Sequence, residues 1–320
     1  MVNEKIDDFK IFTGNSNIPL AKSIVEYLRV NLGESLSTKF PDGEIYVRCL
    51  ESVRGKEVFV IQSTHSPSDN LMELLIMIDV LKRASATSIC AVIPFFGYAR
   101  QDRKTKSREP ISAKLVANLI TVAGATRVIS VDLHAGQIQG FFDIPMDNLT
   151  AVLLLGSYFK DKNLVNPVVV APDVGAVPRA TQFSKKIQHS TQAIFVKRRL
   201  SPDEVDTTRL IGEVKDKTVI LVDDSIHTGG TLINAAEEVL RRGAREVYAS
   251  ATHGIFAQDS LEKFDKSPIR EVVVTDTVPV LQRNNLPSKV KVLSIAPLIG
   301  EAIKRIVFHE SVSELFEKSS

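Results

Sequence analysis

The stretch from Thr218 to Leu240 constrains the fold more than any other part of this sequence. It begins with an unbroken run of β-branched and apolar residues, Thr218–Val222, and continues with two carboxylates, Asp223 and Asp224, and a loop of small residues. Such a run is typical of a strand buried on both faces of a parallel sheet. Apolar residues then recur at helical spacing from Leu232. Together these features predict a strand–loop–helix unit of an α/β protein.

Each part of this unit favours the binding of a sugar phosphate. Glycines let backbone N–H groups close around a phosphate, and the following helix N-terminus adds partial positive charge. Two adjacent carboxylates can accept hydrogen bonds from the hydroxyls of a vicinal diol. The pattern predicts a site for ribose 5-phosphate or its 1-diphosphate, and the alternative is a tight turn with solvated acids. The predicted phosphate loop contains Thr228, Gly229, Gly230 and Thr231.

The stretch resembles the phosphoribosyl-diphosphate binding motif of type I phosphoribosyltransferases. Further segments, from about residue 9 to about residue 316, narrow the resemblance to the ribose-phosphate pyrophosphokinase family. The resemblance implies that the chain transfers the diphosphoryl group of ATP to the anomeric hydroxyl of ribose 5-phosphate, which gives 5-phosphoribosyl 1-diphosphate and AMP for nucleotide biosynthesis. The segments are FPDGE (40–44), NLMELLIMID (70–79), YARQDRKTKSR (98–108), REPISAKLVAN (108–118), DLHAGQIQGFFDIP (132–145) and THGIF (252–256).

The length of 320 residues suits two α/β domains better than one. Residues 56–95 and 217–256 share the order strand, polar loop, amphipathic helix and strand, which indicates a duplicated fold. We therefore predict two tandem type I phosphoribosyltransferase-like domains, residues 1–148 and 149–320, each a mainly parallel sheet flanked by helices. The first copy lacks the acidic pair and the two glycines, so we expect it to keep the fold without the sugar-phosphate site. We expect the C-terminal tail to pack back on the first domain.

Composition argues against several other classes of protein. The net charge of +2 carries no global signature of nucleic-acid or membrane binding. The longest apolar segment, residues 71–81, is interrupted by Glu73 and Asp79, so no membrane span is expected. The first residues are too acidic for a signal peptide, and Cys49 and Cys90 are too isolated for a disulfide framework or zinc site. We expect a cytoplasmic protein without nucleic-acid or membrane partners.

Two segments are candidates for binding a nucleotide, because the chain has neither a P-loop nor a dinucleotide fingerprint. The turn at 40–44 offers an aromatic face and two acceptors for an adenine, although such a segment is more often only a turn. The basic run at 98–108 follows a predicted strand at the edge where ligands bind in parallel sheets, and its alternative is solvated surface. The resemblance implies a neighbouring subunit that completes the adenine pocket. The implied ATP residues are Phe40, Asp42, Glu44, Arg100 and Gln101.

His134 and Asp173 each follow a predicted strand and are candidates for holding Mg²⁺ on the ATP phosphates, although a lone histidine is more often structural. The resemblance assigns magnesium to these two residues. Three cations at 197–199 would by themselves form a solvated loop, but the resemblance implies that Lys197 and Arg199 are catalytic and neutralise charge during transfer. The implied ribose 5-phosphate site comprises Arg199, Asp223, Asp224, His227, Thr228, Gly229, Gly230 and Thr231.

The resemblance also implies an effector site that takes inorganic phosphate as activator or ADP as inhibitor, and an assembly of dimers into hexamers. The segment ESVSELF at 310–316 matches the family, whereas its apolar residues alone would indicate only a tail pinned to a domain. The implied effector residues are Ser52, Arg54, Ser107, Arg108, Gln139, Asn148, Ser311, Ser313 and Phe316.

Three positions depart from the family pattern. His227 stands where aspartate is usual, Ala176 where a second glycine is usual, and Pro178 where a basic residue is common. A methyl group limits close backbone approach, and proline removes a hydrogen-bond donor. These departures leave two alternatives to an active pyrophosphokinase: a non-catalytic regulatory homologue, or a phosphoribosyltransferase that consumes the diphosphate.

Overall fold

The computed structural model describes residues 8–198, 207–283 and 286–317. Strands and helices alternate along these residues, as the sequence predicts. None of the helices in these ranges has the length and apolar character that crossing a membrane requires.

The strands are β1 (Phe9–Thr13), β2 (Ser35–Lys39), β3 (Ile45–Cys49), β4 (Glu57–Ile61), β5 (Ser88–Ile93), β6 (Arg127–Val131), β7 (Met146–Leu149), β8 (Pro167–Ala171), β9 (Thr191–Arg198), β10 (Thr207–Ile211), β11 (Thr218–Ile226), β12 (Glu246–Gly254), β13 (Glu271–Thr275) and β14 (Val290–Leu293). The helices are α1 (Ile18–Leu28), α2 (Asp69–Arg83), α3 (Ser112–Ala123), α4 (Val152–Asp161), α5 (Val177–Ser184), α6 (Gly230–Arg241), α7 (Ser260–Lys266), α8 (Ala296–Val307) and α9 (Glu314–Glu317).

Two mainly parallel sheets organise the chain. The first has the order β1-β4-β5-β6-β7 and is parallel throughout. The second has the order β10-β9-β8-β11-β12-β13-β14, in which only the edge strand β10 runs antiparallel. Strands β2 and β3 form a separate antiparallel hairpin. The prediction of an α/β fold with mainly parallel sheets is confirmed, and the proposed boundary at residues 148 and 149 falls inside β7.

The strand that carries the acidic pair is longer than predicted. We expected the strand to end before Asp223 and a loop to begin at Ser225, but β11 continues to Ile226. The reason is its neighbour β12, which pairs in parallel with these residues, for example Ser225 with His253. The acidic pair therefore lies on a strand held by ladder hydrogen bonds.

Helix α8 packs across both halves. Helix α8 lies against α1, where the ring of Tyr27 closely approaches Gly300. Ile24 of α1 and Ile303 of α8 belong to one buried cluster that also contains residues of both sheets. Burial of this shared apolar surface stabilises the two halves together.

Candidate active site

A cavity of about 550 Å³ lies where strands of both sheets end. In open parallel sheets ligands bind at the carboxyl ends of the strands, and this cavity follows that rule. It is therefore the principal candidate for the active site. Its lining comes from residues 64–68 after β4, 95–101 after β5 and 131–134 at the end of β6, together with Asp224, Ser225, His227, His253 and Ile255.

The cavity brings together site residues that the sequence leaves far apart. Arg100, Gln101 and His134 line it from the first half, and Asp224 and His227 line it from the second. Asp223 and residues 228–231 directly adjoin these second-half residues along the chain. One cavity thus contains parts of both the predicted ATP site and the predicted sugar-phosphate site.

A close contact joins the two halves at the side chains of His134 and Asp224. His134 Nδ1 lies 2.7 Å from Asp224 Oδ2, with Asp224 buried and 41% of the His134 side chain exposed. This hydrogen bond raises the pKa of His134 against the opposing effect of burial. Burial would raise the pKa of Asp224, but the hydrogen bond from His134 and the charge of Arg179 hold it well below its usual range. Asp224 is therefore ionised at neutral pH.

The other member of the acidic pair behaves differently. Burial, and then the negative charge of Asp224, raise the pKa of Asp223 to about 7. The Asp224 backbone N–H donates to Asp223 Oδ1 over 2.8 Å. Since the two carboxyls titrate so differently, Asp223 can carry a proton near neutral pH while Asp224 only accepts hydrogen bonds.

Arg179 of α5 is a site residue that the sequence reasoning missed. Its positive charge acts to lower the pKa of both Asp223 and Asp224, and its Nε is buried without a hydrogen-bond partner in the described structure. A cation inside a helix is usually solvated surface, so its type alone gave no signal. The only available hint was that the family commonly has a basic residue at position 178, next to Arg179, where this chain has proline.

The predicted phosphate loop requires glycine at one position. Gly229 precedes α6 with φ +78°, and a Cβ there would lie 2.4 Å from the ring of Phe264. A Cβ at Gly230 would meet nothing within 4 Å. Helix α6 then presents the unpaired N–H groups of its first turn, a site suited to an anion. Burial, and then the positive charge of Arg100, lower the pKa of His227, so its imidazole is neutral at pH 7.

A buried hydrogen-bond network links the halves beside the cavity. Asp132 accepts from the Thr150 hydroxyl and the Ala151 N–H, which directly follow β7, and from the Thr252 hydroxyl at the end of β12 over 2.6 Å. His253 Nε2 lies 3.1 Å from the Asp132 backbone carbonyl oxygen. Burial lowers the pKa of His253, which keeps this imidazole neutral. The network therefore fixes the backbone and side chain of Asp132, two residues before His134 of the candidate site.

Family models and full-length relatives identify the chain. The N-terminal domain of ribose phosphate pyrophosphokinase matches residues 9–124, and the phosphoribosyl synthetase-associated domain matches residues 196–317. The ribose-phosphate pyrophosphokinase of Caldanaerobacter subterraneus is 55% identical over 97% of this chain and 98% of its own length. The ribose-phosphate pyrophosphokinase of Thermotoga maritima is 53% identical over 97% of this chain and 98% of its own length. The chain belongs to the ribose-phosphate pyrophosphokinase family.

The family assignment extends to the solved structures. The crystal structure of phosphoribosylpyrophosphate synthetase from Mycobacterium smegmatis matches with a TM-score of 0.89 and 41% identity, covering 94% of this chain and 99% of that one. The predicted family and fold are thus confirmed. Agreement over the full length supports an enzyme of this family rather than either alternative.

The hairpin in which the sequence predicts part of the ATP site does not line the cavity. At its tip the Phe40 N–H donates to the Glu44 carbonyl and the Gly43 N–H to the Phe40 carbonyl, which closes the predicted turn. Phe40 is 49% exposed, with its ring 5.4 Å from that of Tyr46. Phe40, Asp42 and Glu44 do not line the cavity that contains Arg100 and Gln101. Within one chain the structure does not join these two groups.

The predicted magnesium residues occupy different environments. Asp173 is exposed, accepts from the Ala176 N–H over 3.0 Å, and does not line the cavity. Among the described residues no three or more His, Cys, Asp or Glu side chains are grouped to hold a metal. Pro178 lies in the first turn of α5, where a missing N–H leaves no helix hydrogen bond unmade. Pro178 is therefore accommodated by the local fold, and Ala176 has a φ of −81°, which a residue with a side chain adopts without strain.

Some predicted site residues are only partly described or lie outside the described residues. Lys197 is placed by its backbone in β9, its side chain lies outside the described part, and Arg199 lies outside it altogether. The side chain of Phe316 also lies outside it.

The predicted effector residues are not gathered in the large cavity. Only Ser313 among them lines one of the described cavities, a separate one of about 470 Å³ at the amino ends of β4 to β7. Asn148 is engaged within the chain, where its Oδ1 accepts from the Leu133 N–H. The exposed members are Ser52, Arg54, Ser107, Arg108, Gln139, Ser311 and Ser313.

Proposed function

We propose that this chain transfers the diphosphoryl group of ATP to the anomeric hydroxyl of ribose 5-phosphate, with release of AMP. The observation that carries the proposal is the shared cavity, in which Arg100 and Gln101 lie with Asp224 and His227. A reaction between a nucleotide and a sugar phosphate needs both sites to open into one space.

Ribose 5-phosphate would lie along β11 and the start of α6. Asp223 and Asp224 would accept hydrogen bonds from the 2- and 3-hydroxyls, and a proton on Asp223 would let it donate as well. The 5-phosphate would take the N–H groups of residues 227–231 and the hydroxyls of Thr228 and Thr231. The neutral His227 adds no charge there, so its replacement of the usual aspartate is compatible with binding.

ATP would be held by two separate parts of the assembly. Arg100 and Gln101 would contact the phosphates, and Phe40, Asp42 and Glu44 would stack and hydrogen-bond the adenine. Because the hairpin tip lies away from the cavity of its own chain, we propose that it serves the cavity of a neighbouring subunit. The assembly proposed for this purpose is a hexamer built from dimers.

Magnesium would be held by His134 and Asp173, with waters and ATP phosphate oxygens completing its ligands. The donor set fits this arrangement, since Asp173 Oδ2 is unengaged within the described structure and magnesium in nucleotide sites keeps few protein ligands. When bound, the ion neutralises charge on the phosphates. Asp224 would orient the His134 ring through its 2.7 Å contact with Nδ1.

In the transfer itself the anomeric hydroxyl loses its proton to solvent as its oxygen bonds to the β-phosphorus of ATP, and the bond from that phosphorus to the bridging oxygen breaks, so that this oxygen and the electron pair leave on AMP. Lys197 and Arg199 would stabilise the negative charge that grows on the transferred group. Inorganic phosphate or ADP would act as effector at the nine predicted effector residues, Ser52, Arg54, Ser107, Arg108, Gln139, Asn148, Ser311, Ser313 and Phe316. The proposed location of the protein is the cytoplasm.

The decisive test is AMP formation from ATP, with and without ribose 5-phosphate, at saturating magnesium and inorganic phosphate. AMP that depends on ribose 5-phosphate and needs no added base is the expected result. A phosphoribosyltransferase would instead consume 5-phosphoribosyl 1-diphosphate and require a base. If no AMP forms although ribose 5-phosphate binds, and activity appears only with a catalytic homologue, the chain is a regulatory subunit.

A further inference from the structure

The first half contains a counterpart of the sugar-phosphate unit whose polar groups are already occupied. Counted from the first residue of each strand, Gln62 after β4 holds the position of Asp223 on β11. Gln62 is fully buried, and its Oε1 accepts from the backbone N–H and the hydroxyl of Ser16. Its Nε2 donates to the Asn70 carbonyl and to Glu73 Oε2. The chain itself therefore fills the hydrogen-bonding capacity at this strand end.

Glu73 of α2 is the centre of this network. Its carboxylate is 4% exposed and forms no ion pair within the described ranges. Uncharged donors satisfy it instead: the Asn15 N–H at 3.1 Å from each oxygen, the Asn15 side-chain amide at 2.6 Å, the Gln62 amide at 2.6 Å and the Ser37 hydroxyl at 2.5 Å. Hydrogen bonds to a buried carboxylate are strong and costly to lose.

One of these donors belongs to the hairpin. Ser37 lies in β2, and the Asn15 amide also donates to the Ser37 hydroxyl and carbonyl oxygens at 3.1 and 3.4 Å. On the other strand Val47 is buried in the same apolar cluster as Leu74 of α2. An ion pair between Lys39 and Asp69 is exposed, so it contributes little. Strand β3 is therefore held to α2 by apolar packing, whereas β2 beyond its pairing with β3 is attached to the body of the first half by the hydrogen bonds that join Ser37 to Glu73 and Asn15.

We propose that Glu73 is a positioning residue for the nucleotide, because it fixes β2 and so the hairpin tip that carries Phe40. An isolated two-stranded hairpin is marginally stable in water and needs support from the rest of the fold. Phe40 lies three residues beyond Ser37, about 10 Å along an extended strand. The proposal rests on the proposed function, in which Phe40, Asp42 and Glu44 hold the adenine.

Ser37→Ala tests the proposal while it leaves the buried carboxylate and its remaining donors in place. We expect the KM for ATP to rise about tenfold, on the scale of one hydrogen bond to a charged group, with kcat and the KM for ribose 5-phosphate within about twofold of the unchanged protein. Ser35→Ala is the matched control, since Ser35 is on the same strand and makes no side-chain hydrogen bond within the described structure. It should leave all three constants unchanged.

Amide hydrogen exchange provides a readout that does not depend on the reaction. Ser37→Ala should speed exchange in residues 35–49 and nowhere else, whereas Ser35→Ala should not. An unchanged KM for ATP in Ser37→Ala, an equal rise for both substrates, or the same effects in Ser35→Ala would overturn the proposal. Phe40→Ala separates the two hypotheses: if it leaves the KM for ATP unchanged, the adenine assignment fails, and the exchange rates still decide whether Glu73 anchors β2.

Discussion

Replacing Asp223 with asparagine should stabilise the folded protein while it weakens the binding of ribose 5-phosphate, since the amide offers fewer acceptor sites to the sugar hydroxyls than a carboxylate. Burial and the adjacent charge of Asp224 raise the pKa of Asp223 from 3.8 to about 7. Its carboxyl therefore binds a proton more tightly in the folded chain than in the unfolded chain. As pH rises from about 4 to about 7, the unfolded state ionises first, so the free energy of unfolding falls; above pH 7 the loss is complete.

The magnitude follows from that difference. At about 1.36 kcal/mol per pKa unit, the rise of the Asp223 pKa corresponds to a loss of about 4 kcal/mol in the free energy of unfolding above pH 7. Partial contact of the carboxyl with solvent reduces this loss to about 2–4 kcal/mol. Asparagine has the same shape and keeps an oxygen for the Asp224 N–H, which donates over 2.8 Å. Asp223→Asn should therefore raise the free energy of unfolding by about 2–4 kcal/mol at pH 8 and by clearly less at pH 5.

Urea unfolding followed by circular dichroism at pH 5 and pH 8 measures this difference, and calorimetry measures ribose 5-phosphate binding. Asp161→Asn, at an exposed position at the end of α4, is the control and should change neither quantity. The reasoning is refuted if Asp223→Asn is no more stable than the unchanged protein at pH 8, or if its effect is the same at both pH values.

Three further predictions concern turnover, the loop and its unusual histidine. Lys197→Ala should lower the rate of AMP release severely and leave ribose 5-phosphate binding largely intact; a near-native rate would contradict its catalytic role. Gly229→Ala should lower the thermal midpoint and weaken ribose 5-phosphate binding, because a Cβ there would overlap Phe264, whereas Gly230→Ala should keep the midpoint. His227→Asn should change the KM for ribose 5-phosphate by less than about fivefold at pH 8, since the histidine is already neutral and asparagine leaves the charge beside the phosphate unchanged.

The sequence predicted the sheets well because strands buried on both faces leave a clear pattern. Every residue of β8 is buried, and its run of apolar residues marks it as a strand. The start of α6 was equally clear, since paired glycines directly before an amphipathic helix mark a turn into that helix, and its binding of a phosphate stays a prediction. Where β11 ends was not predicted, because its last residues are held by the partner strand β12 rather than by their own propensity.

Contacts between the halves could not be predicted from the sequence. His134 and Asp224 are ninety residues apart, and their contact depends on how two sheets pack together. Arg179 was missed because a helical cation has the same pattern whether it faces solvent or an acidic pair. Glu73 was noted only as a charge that interrupts an apolar segment, whereas the structure buries it among uncharged donors.

The network around Asp132 bears on how substrates enter. Thr252 and His253 of one half both bond to Asp132 of the other, and α1 and α8 share a buried apolar cluster. Rotating the halves apart would break these hydrogen bonds and expose that cluster to water at once. We therefore expect the two sheets to behave as a fixed frame during turnover. Substrates would then reach the cavity through movements of the loops that surround it. The relative positions of the nucleotide site and the sugar site would be the same before and after the substrates bind.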